Sequence, residues 1–166
     1  MKKLFVIISL VGIIYVLGLL FDLVPLTIEL SAIESHENTE LDSGESFNPF
    51  ANIEMIHGKS IAYVVYSWDD IQSDMNLLKG KVLYTDEAVV LDELKNYQFQ
   101  YTGSDMTTVN SFFYIFVDGM LKFKSGIILE KNKVGFQNSD FGWIDNNELL
   151  NTFRKFKRCR MPVVVL

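Results

Sequence analysis

This 166-residue sequence is poor in the side chains that carry most redox and metal chemistry, with one cysteine and two histidines. Cys159 stands alone, so it has no partner for an internal disulfide and belongs to no Cys/His cluster of the kind that holds a structural metal. His36 and His57 lack the neighbouring nucleophile and carboxylate that a catalytic triad needs. We therefore predict no metal site, no cofactor and no thiol-disulfide catalysis.

Charge is missing from a long run near the N-terminus. Residues 4–21 contain no charged side chain and follow two lysines, and as a helix they would measure about 27 Å against a hydrocarbon core of roughly 30 Å. The pattern predicts a transmembrane signal anchor over residues 1–30. A cleaved signal peptide is the competing interpretation, although its apolar core is usually shorter, at about 7 to 15 residues.

The charges that flank this run predict its orientation. Two lysines precede the run, whereas the residues after it carry acids and no Lys or Arg before Lys59. The expected location is therefore a bacterial inner (cytoplasmic) membrane, crossed once, with the C-terminal domain in the periplasm or outside the cell.

The remaining chain divides into an acidic linker over 31–58 and one domain over 59–166. Hydrophobic periodicity predicts strands at 61–66, 81–85 and 98–102, helices at 67–78, 86–97 and 149–156, and a polar connection over 130–143. Asp118-Gly119, between two apolar runs within 111–129, predicts a tight β-hairpin. The last residues, PVVVL, predict an edge strand or an apolar tail.

The order of these elements resembles the thioredoxin-like fold, from IAYVVYS at 61–67 through SFFYIFVDGMLKFKSGI at 111–127 to the helix that begins at GWIDNNELL, 142–150. The resemblance implies an α/β protein with one small three-layer domain that ends in a β-hairpin and a helix. It also implies a redox turn at 67–75, where no cysteine stands, and a cis-proline at 108–111, where no proline stands. We expect a degenerate member without thiol chemistry, which favours binding over catalysis.

Three acidic residues that follow the predicted strand 61–66 form a candidate site: Asp69, Asp70 and Asp74. Asp70 and Asp74 share a helix face and could bind a divalent cation or act as an acid–base pair. Ser67 as the N-cap with Asp70 at N3 would instead make a capping box. The structural role is the favoured one.

A basic cluster near the C-terminus is the second candidate: Arg154, Lys155, Lys157, Arg158 and Arg160. Residues 59–118 carry a net charge of −5 and residues 119–166 one of +5, so charge is polarised along the predicted domain. The cluster predicts contact with an acidic partner or with anionic lipid, and stabilisation of a helix C-terminus is the alternative. A nucleic-acid partner is not expected.

The predicted function is that of a membrane-anchored, extracytoplasmic, non-catalytic binding module with a protein partner. It would serve as an accessory or assembly factor of an envelope complex or as an immunity-type protein. The alternatives are a carboxylate-dependent enzyme that uses Asp69, Asp70 and Asp74, and a structural subunit of a membrane complex. No catalytic residue is assigned, and the oligomeric state is left open.

Overall fold

The computed structural model of the chain describes residues 2–20, 26–30, 41–73, 80–104, 106–130, 133–161 and 163–166. The helices are α1 (Lys2–Leu20), α2 (Trp68–Ser73), α3 (Ala88–Asn96) and α4 (Leu149–Phe153). The strands are β1 (Leu26–Ile28), β2 (Ser46–Phe47), β3 (Ser60–Val65), β4 (Val82–Thr85), β5 (Phe99–Tyr101), β6 (Ser111–Val117), β7 (Met120–Glu130), β8 (Lys133–Asn138), β9 (Gly142–Asp145), β10 (Lys157–Arg158) and β11 (Val163–Val165).

A 9-stranded antiparallel sheet dominates the fold, in the order β10-β4-β3-β6-β7-β8-β9-β5-β2. Its centre is the β6–β7 hairpin, whose turn residues Asp118 and Gly119 have φ angles of 53° and 76°. Two positive φ angles match the right-handed twist of the flanking strands. β1 and β11 pair in parallel in a separate two-stranded ribbon.

The predicted three-layer, thioredoxin-like α/β architecture is wrong, because the protein is mostly an antiparallel sheet. β3 and β4 pair antiparallel although α2 lies between them, so α2 is not the crossover helix of a parallel βαβ unit. Residues 130–143, predicted as a polar connection, instead supply the end of β7, β8 and the start of β9. The sheet therefore grows by hairpins rather than by helical crossovers.

Most local predictions in the domain agree with the structure. The predicted strands 61–66, 81–85 and 98–102, the helix 86–97 and the hairpin at Asp118-Gly119 are confirmed as β3, β4, β5, α3 and β6–β7. The helix predicted over 149–156 is shorter, since α4 ends at Phe153. The helix predicted over 67–78 begins as α2, and residues 74–79 lie outside the described residues.

The membrane prediction is also wrong: among the described residues, no helix combines the length and the apolar character that a membrane crossing requires. α1 has 19 residues and includes both lysines, which leaves 17 uncharged residues. The predicted signal anchor and the single-pass location in a bacterial inner membrane are overturned with it.

The two faces of the sheet bury different side chains, because neighbouring residues of a strand point to opposite sides. The phenylalanine face carries Phe113, Ile115, Phe123 and Phe136 and is covered by α3, α4 and the segment 41–56. Phe50, from a segment predicted to be linker, is fully buried in this core. None of the described side chains of α1 belongs to this core or to that of the other face.

The tail face carries Val65, Val82, Tyr114 and Phe116, and the C-terminal tail 159–166 covers it. Val164 and Leu166 are each 2% exposed. The tail is held by β1, since the Leu166 N–H donates to the Ile28 carbonyl at 2.8 Å and the Leu30 N–H donates to the Leu166 carbonyl at 2.7 Å. β1 and the tail therefore lie together on this face.

Candidate functional site

The predicted acidic site is an internal hydrogen-bond network around Asp70. The Asp70 N–H donates to Ser67 Oγ at 3.0 Å, which is the helix-capping bond expected from the sequence. The reciprocal bond of a capping box is replaced, because the Ser67 N–H donates to Ser111 Oγ at 2.8 Å. Asp70 Oδ2 accepts from both serine hydroxyls. Asp69 is exposed, and Asp74 lies outside the described residues.

This network joins the start of α2 to the start of β6. Ser111 is fully buried, so its hydroxyl cannot be reached by a substrate. Asp70 also borders a cavity of about 130 Å³ beside residues 107–110 and the end of β7. The observed bonds orient backbone and hydroxyl groups at a strand-to-helix turn, and they give Asp70 a positioning role.

The predicted basic cluster is partly neutralised by acids next to it in space. Lys155 Nζ lies 2.5 Å from Glu93 Oε1, and Lys157 Nζ lies 2.8 Å from Glu87 Oε1. The hydrogen bond to Glu87, together with its charge, raises the pKa of Lys157. Both lysines therefore connect the end of the chain to α3 and its N-terminal flank, and they do not present a continuous basic surface.

The three arginines of the cluster point to different surroundings. Arg154 Nη1 donates to Asn151 Oδ1 at 3.1 Å, whereas the Arg158 side chain lies over Gly80, where an added Cβ would meet it at 3.2 Å. Arg160 is exposed. The structure thus spreads the five cationic residues over several contacts instead of gathering them on one patch.

A groove of about 690 Å³ is a candidate binding site among the described residues. One wall is the segment 47–56, the second is the β6–β7 hairpin over 117–124, and the third is the β8–β9 turn over 138–141. The volume falls within the roughly 300–1,000 Å³ that is usual for small-molecule sites. No element predicted as a site from the sequence contributes to it.

Three phenyl rings form the apolar floor of the groove: Phe47, Phe123 and Phe141. The ring centroids of Phe47 and Phe141 are 5.7 Å apart, and Phe123 stacks on Phe141 with centroids 6.3 Å apart and planes 5° from parallel. Phe123 and Phe141 are only 7% and 6% exposed. The floor is therefore fixed by packing that does not depend on a ligand.

Asn48 holds the wall that carries Phe47. Its side-chain amide donates to the carbonyl oxygens of Lys95 and Tyr97 at 2.7 Å each, and its Oδ1 accepts from the Phe50 N–H at 2.7 Å. These bonds satisfy carbonyls at the C-terminal end of α3, which have no partner within the helix. Segment 47–56 is thus attached to the domain by the Asn48 side-chain hydrogen bonds as well as by the buried Phe50 ring.

Ionisable side chains surround the floor: Glu54, Asp118, Lys122, Lys124 and Asp140. Lys59 Nζ lies 3.2 Å from Asp118 Oδ2. Lys124 pairs with Glu29, and its ammonium lies 5.5 Å from the centroid of the Phe112 ring on the tail face. Two of the five charges are therefore balanced by groups outside the groove.

One feature of the sequence indicates this groove, although it is not part of any helical or strand periodicity. Phe47 and Phe50 are large aromatic residues in an otherwise polar, acidic segment, FNPF at 47–50. In a solvated linker such residues have no reason to recur. Their presence indicates a segment that folds onto the domain, but nothing in the local pattern says which surface it covers.

Metal binding and known relatives give no further assignment. Within the part of the chain that the structure describes, no three His, Cys, Asp or Glu side chains come together as a metal-binding group. No protein-family model, no curated protein and no solved structure matches this chain. A functional hypothesis must therefore come from the geometry of the groove itself.

Proposed function

We propose that this protein is a non-catalytic binding module whose ligand occupies the groove between segment 47–56, the β6–β7 hairpin and the β8–β9 turn. The observation that carries the proposal is a concave site of about 690 Å³ with an aromatic floor and a charged rim. Apolar floors with a few polar groups at the edge are typical of ligand sites.

Rigidity of the walls supports binding. Phe50, behind the wall that carries Phe47, is fully buried, and its ring centroid lies 4.9 Å from that of Phe123 in the opposite wall. The Asn48 bonds hold segment 47–56 to the end of α3, and the Lys59 ammonium pairs with Asp118 at the turn of the hairpin. A site that is already formed loses less conformational entropy when a ligand enters.

The alternative of a carboxylate-dependent enzyme finds less support. Asp70 accepts hydrogen bonds from Ser67 and Ser111 and lies at a helix start, a capping arrangement. Accessory, assembly and immunity roles all need a binding site, and the groove is compatible with each of them. The proposal is accordingly limited to binding at this groove.

Methyl NMR of the full chain tests the proposal, because the groove is lined by methyl-bearing residues: Ile53, Ile56, Val117 and Met120. The probe is octyl glucoside, a neutral eight-carbon amphiphile, below its micelle concentration. We expect saturable shifts of these four residues' methyl groups and no saturable change at Val90, a residue of α3 that is buried in the core and does not line the groove. Shifts spread evenly over α1 and the surface would contradict a groove site.

A matched pair of variants completes this experiment. Ile56 lines the groove and is 40% exposed, so Ile56→Trp places a large ring in the ligand space without disturbing the buried core. Val89 is 73% exposed on α3 and does not line the groove, so Val89→Trp is the control. We expect Ile56→Trp to weaken probe binding about tenfold or more, while Val89→Trp leaves it unchanged at equal thermal stability.

A further inference from the structure

Once the existing ion pairs are taken into account, the negative and positive side chains that line the groove are unequal in number. Asp118 is balanced by Lys59, and Lys124 is balanced by Glu29. Lys124 also points its ammonium toward Phe112 and Tyr114 on the tail face, 5.5 Å and 5.9 Å from the ring centroids. Neither residue therefore contributes a full charge to a ligand in the groove.

Glu54, Lys122 and Asp140 line the groove and have no ion-pair partner among the described residues. Asp140 Oδ1 accepts a hydrogen bond from the adjacent Ser139 hydroxyl at 3.3 Å, which leaves the carboxylate charge in place. Two carboxylates against one ammonium give the groove a net negative charge. A cationic ligand would be attracted and an anionic one repelled.

The aromatic floor also favours a cationic ligand. The faces of phenyl rings carry negative partial charge and attract cations, and quaternary ammonium groups are bound in this way. Phe47, Phe123 and Phe141 place three such rings beside the two carboxylates. Because the same rings also bury hydrocarbon, the floor suits a ligand that has an apolar body and a positive head.

We infer that the groove binds a small amphiphile with an apolar body and a positively charged ammonium head. This inference rests on the proposed function, since it names the chemical class of ligand for the same site. The head lies near Glu54 and Asp140, and the body covers the phenyl rings. Lys122 is the residue of β7 that the strand pairing skips between Leu121 and Phe123, and its charge opposes the cation and limits its affinity.

Three probes of equal chain length test the inference: octyltrimethylammonium, octyl glucoside and octanoate, each below its micelle concentration. Titration of the full chain at low salt, followed at the groove methyl groups, gives a dissociation constant for each probe. We expect octyltrimethylammonium to bind about fivefold more tightly than octanoate, a difference of the size that one partly exposed ion pair gives. The difference should shrink in about 0.5 M NaCl, because salt screens exposed charges.

Charge variants assign the preference to particular residues. The double variant Glu54→Gln with Asp140→Asn should lose the ammonium preference, and Lys122→Gln should increase it. Glu148→Gln is the control, because Glu148 is exposed and lies away from the groove at the start of α4. It should leave all three dissociation constants unchanged.

The outcomes separate the inference from the proposed function. An ammonium preference that disappears in the double variant supports both. Equal affinity for the charged probes, a preference for octanoate, or an ammonium preference that survives the double variant overturns the charge inference and leaves groove binding intact. If none of the three probes shifts the groove methyl groups, both the inference and the proposed function are overturned.

Discussion

The two faces of the sheet are built from the same strands but are closed in different ways. On the phenylalanine face, α3, α4 and segment 41–56 cover a core in which Phe113 contacts five other rings. On the tail face, a smaller cluster of valines and aromatic residues is covered by the tail 159–166, held in place by β1. The first cover consists of helices and a long segment of the domain, whereas the second is a two-stranded ribbon of β1 and β11 with the rest of the tail.

A single strand therefore supplies side chains to two cores that are covered by different elements. In β6, Phe113 and Ile115 are fully buried on the phenylalanine face, while Tyr114 and Phe116 are 3% and 8% exposed on the tail face. A two-stranded ribbon opens at lower free energy than the central strands of a large sheet. We therefore expect the phenylalanine face to contribute most of the global stability and the tail face to open first.

The largest effect should come from Phe113→Ala, which removes the ring at the centre of the phenylalanine face. The loss of buried surface and the cavity left behind should lower the free energy of unfolding by about 4 kcal/mol. Urea denaturation of the full chain measures it. Phe113→Leu, which keeps most of the apolar volume, should cost only about 1 kcal/mol. Equal losses for the two variants would show that the ring contacts are not what stabilises this face.

A smaller effect is expected from Leu166→Ala, which shortens a side chain that is 2% exposed at the end of the tail. We expect a loss of about 2 kcal/mol, the low end for a buried leucine, because Leu166 lies beside the two-stranded β1–β11 ribbon, which relaxes more readily than a central strand of the large sheet. The neighbouring Val165 is 56% exposed, so Val165→Ala should cost less than about 0.5 kcal/mol.

The thiol of Cys159 reports opening of the tail face independently of global unfolding, since it is 6% exposed in the cluster under the tail. Leu166→Ala should accelerate its reaction with an aromatic disulfide reagent about tenfold or more at a denaturant concentration where the protein stays folded. Val165→Ala should react at the original rate. An unchanged rate in Leu166→Ala would mean that the tail does not control access to this face.

The smallest effect concerns pH. Burial raises the pKa of Tyr114 above its ordinary value of 10.0, and the charge of Glu29 and a hydrogen bond to it act in the same direction. Above pH 10 the unfolded chain loses this proton while the folded chain keeps it, so stability falls as the pH rises further. Below pH 10 both states hold the proton, and the contribution is fully present.

Tyr114→Phe should therefore flatten the fall in unfolding free energy above pH 10, and Glu29→Gln should flatten it partly, because burial remains. Chemical denaturation at several pH values between about 8 and 11 gives the slopes. If Tyr114→Phe and the unmodified chain show parallel slopes, Tyr114 does not supply the proton linkage.

Local patterns predicted the elements whose side chains obey the usual periodicities. β3 was recognisable from its continuous apolar run and the central hairpin from Asp118-Gly119. α3 was predicted from its acidic start and from Val89, Leu91 and Leu94, although Val89 is 73% exposed and its neighbour Val90 is the buried residue. Each of these signals depends on neighbours in sequence. They were right because nothing in the surrounding fold opposed them.

β8 and β9 were not predicted from the sequence, because their close pairing requires a glycine that interrupts the strand pattern. A Cβ at Gly135 would lie 1.9 Å from the Ile144 carbonyl oxygen, so the close approach of the two strands requires glycine there. The glycine and the flanking Lys, Asn and Ser side chains resemble a loop, although Val134, Phe136 and Ile144 are buried. Missing this hairpin led directly to the wrong fold class.

By itself the sequence determined the scarcity of thiol and imidazole chemistry, the helix cap at Ser67 and the turn of the central hairpin, because composition and short-range sterics decide these. Only the tertiary structure decided that nine strands form one antiparallel sheet, that Glu87 and Glu93 pair with Lys157 and Lys155, and that the groove exists. The groove joins residues 47–56, 117–124 and 138–141, which lie far apart in the chain. Such a site depends on long-range strand pairing, which no local pattern of side chains specifies.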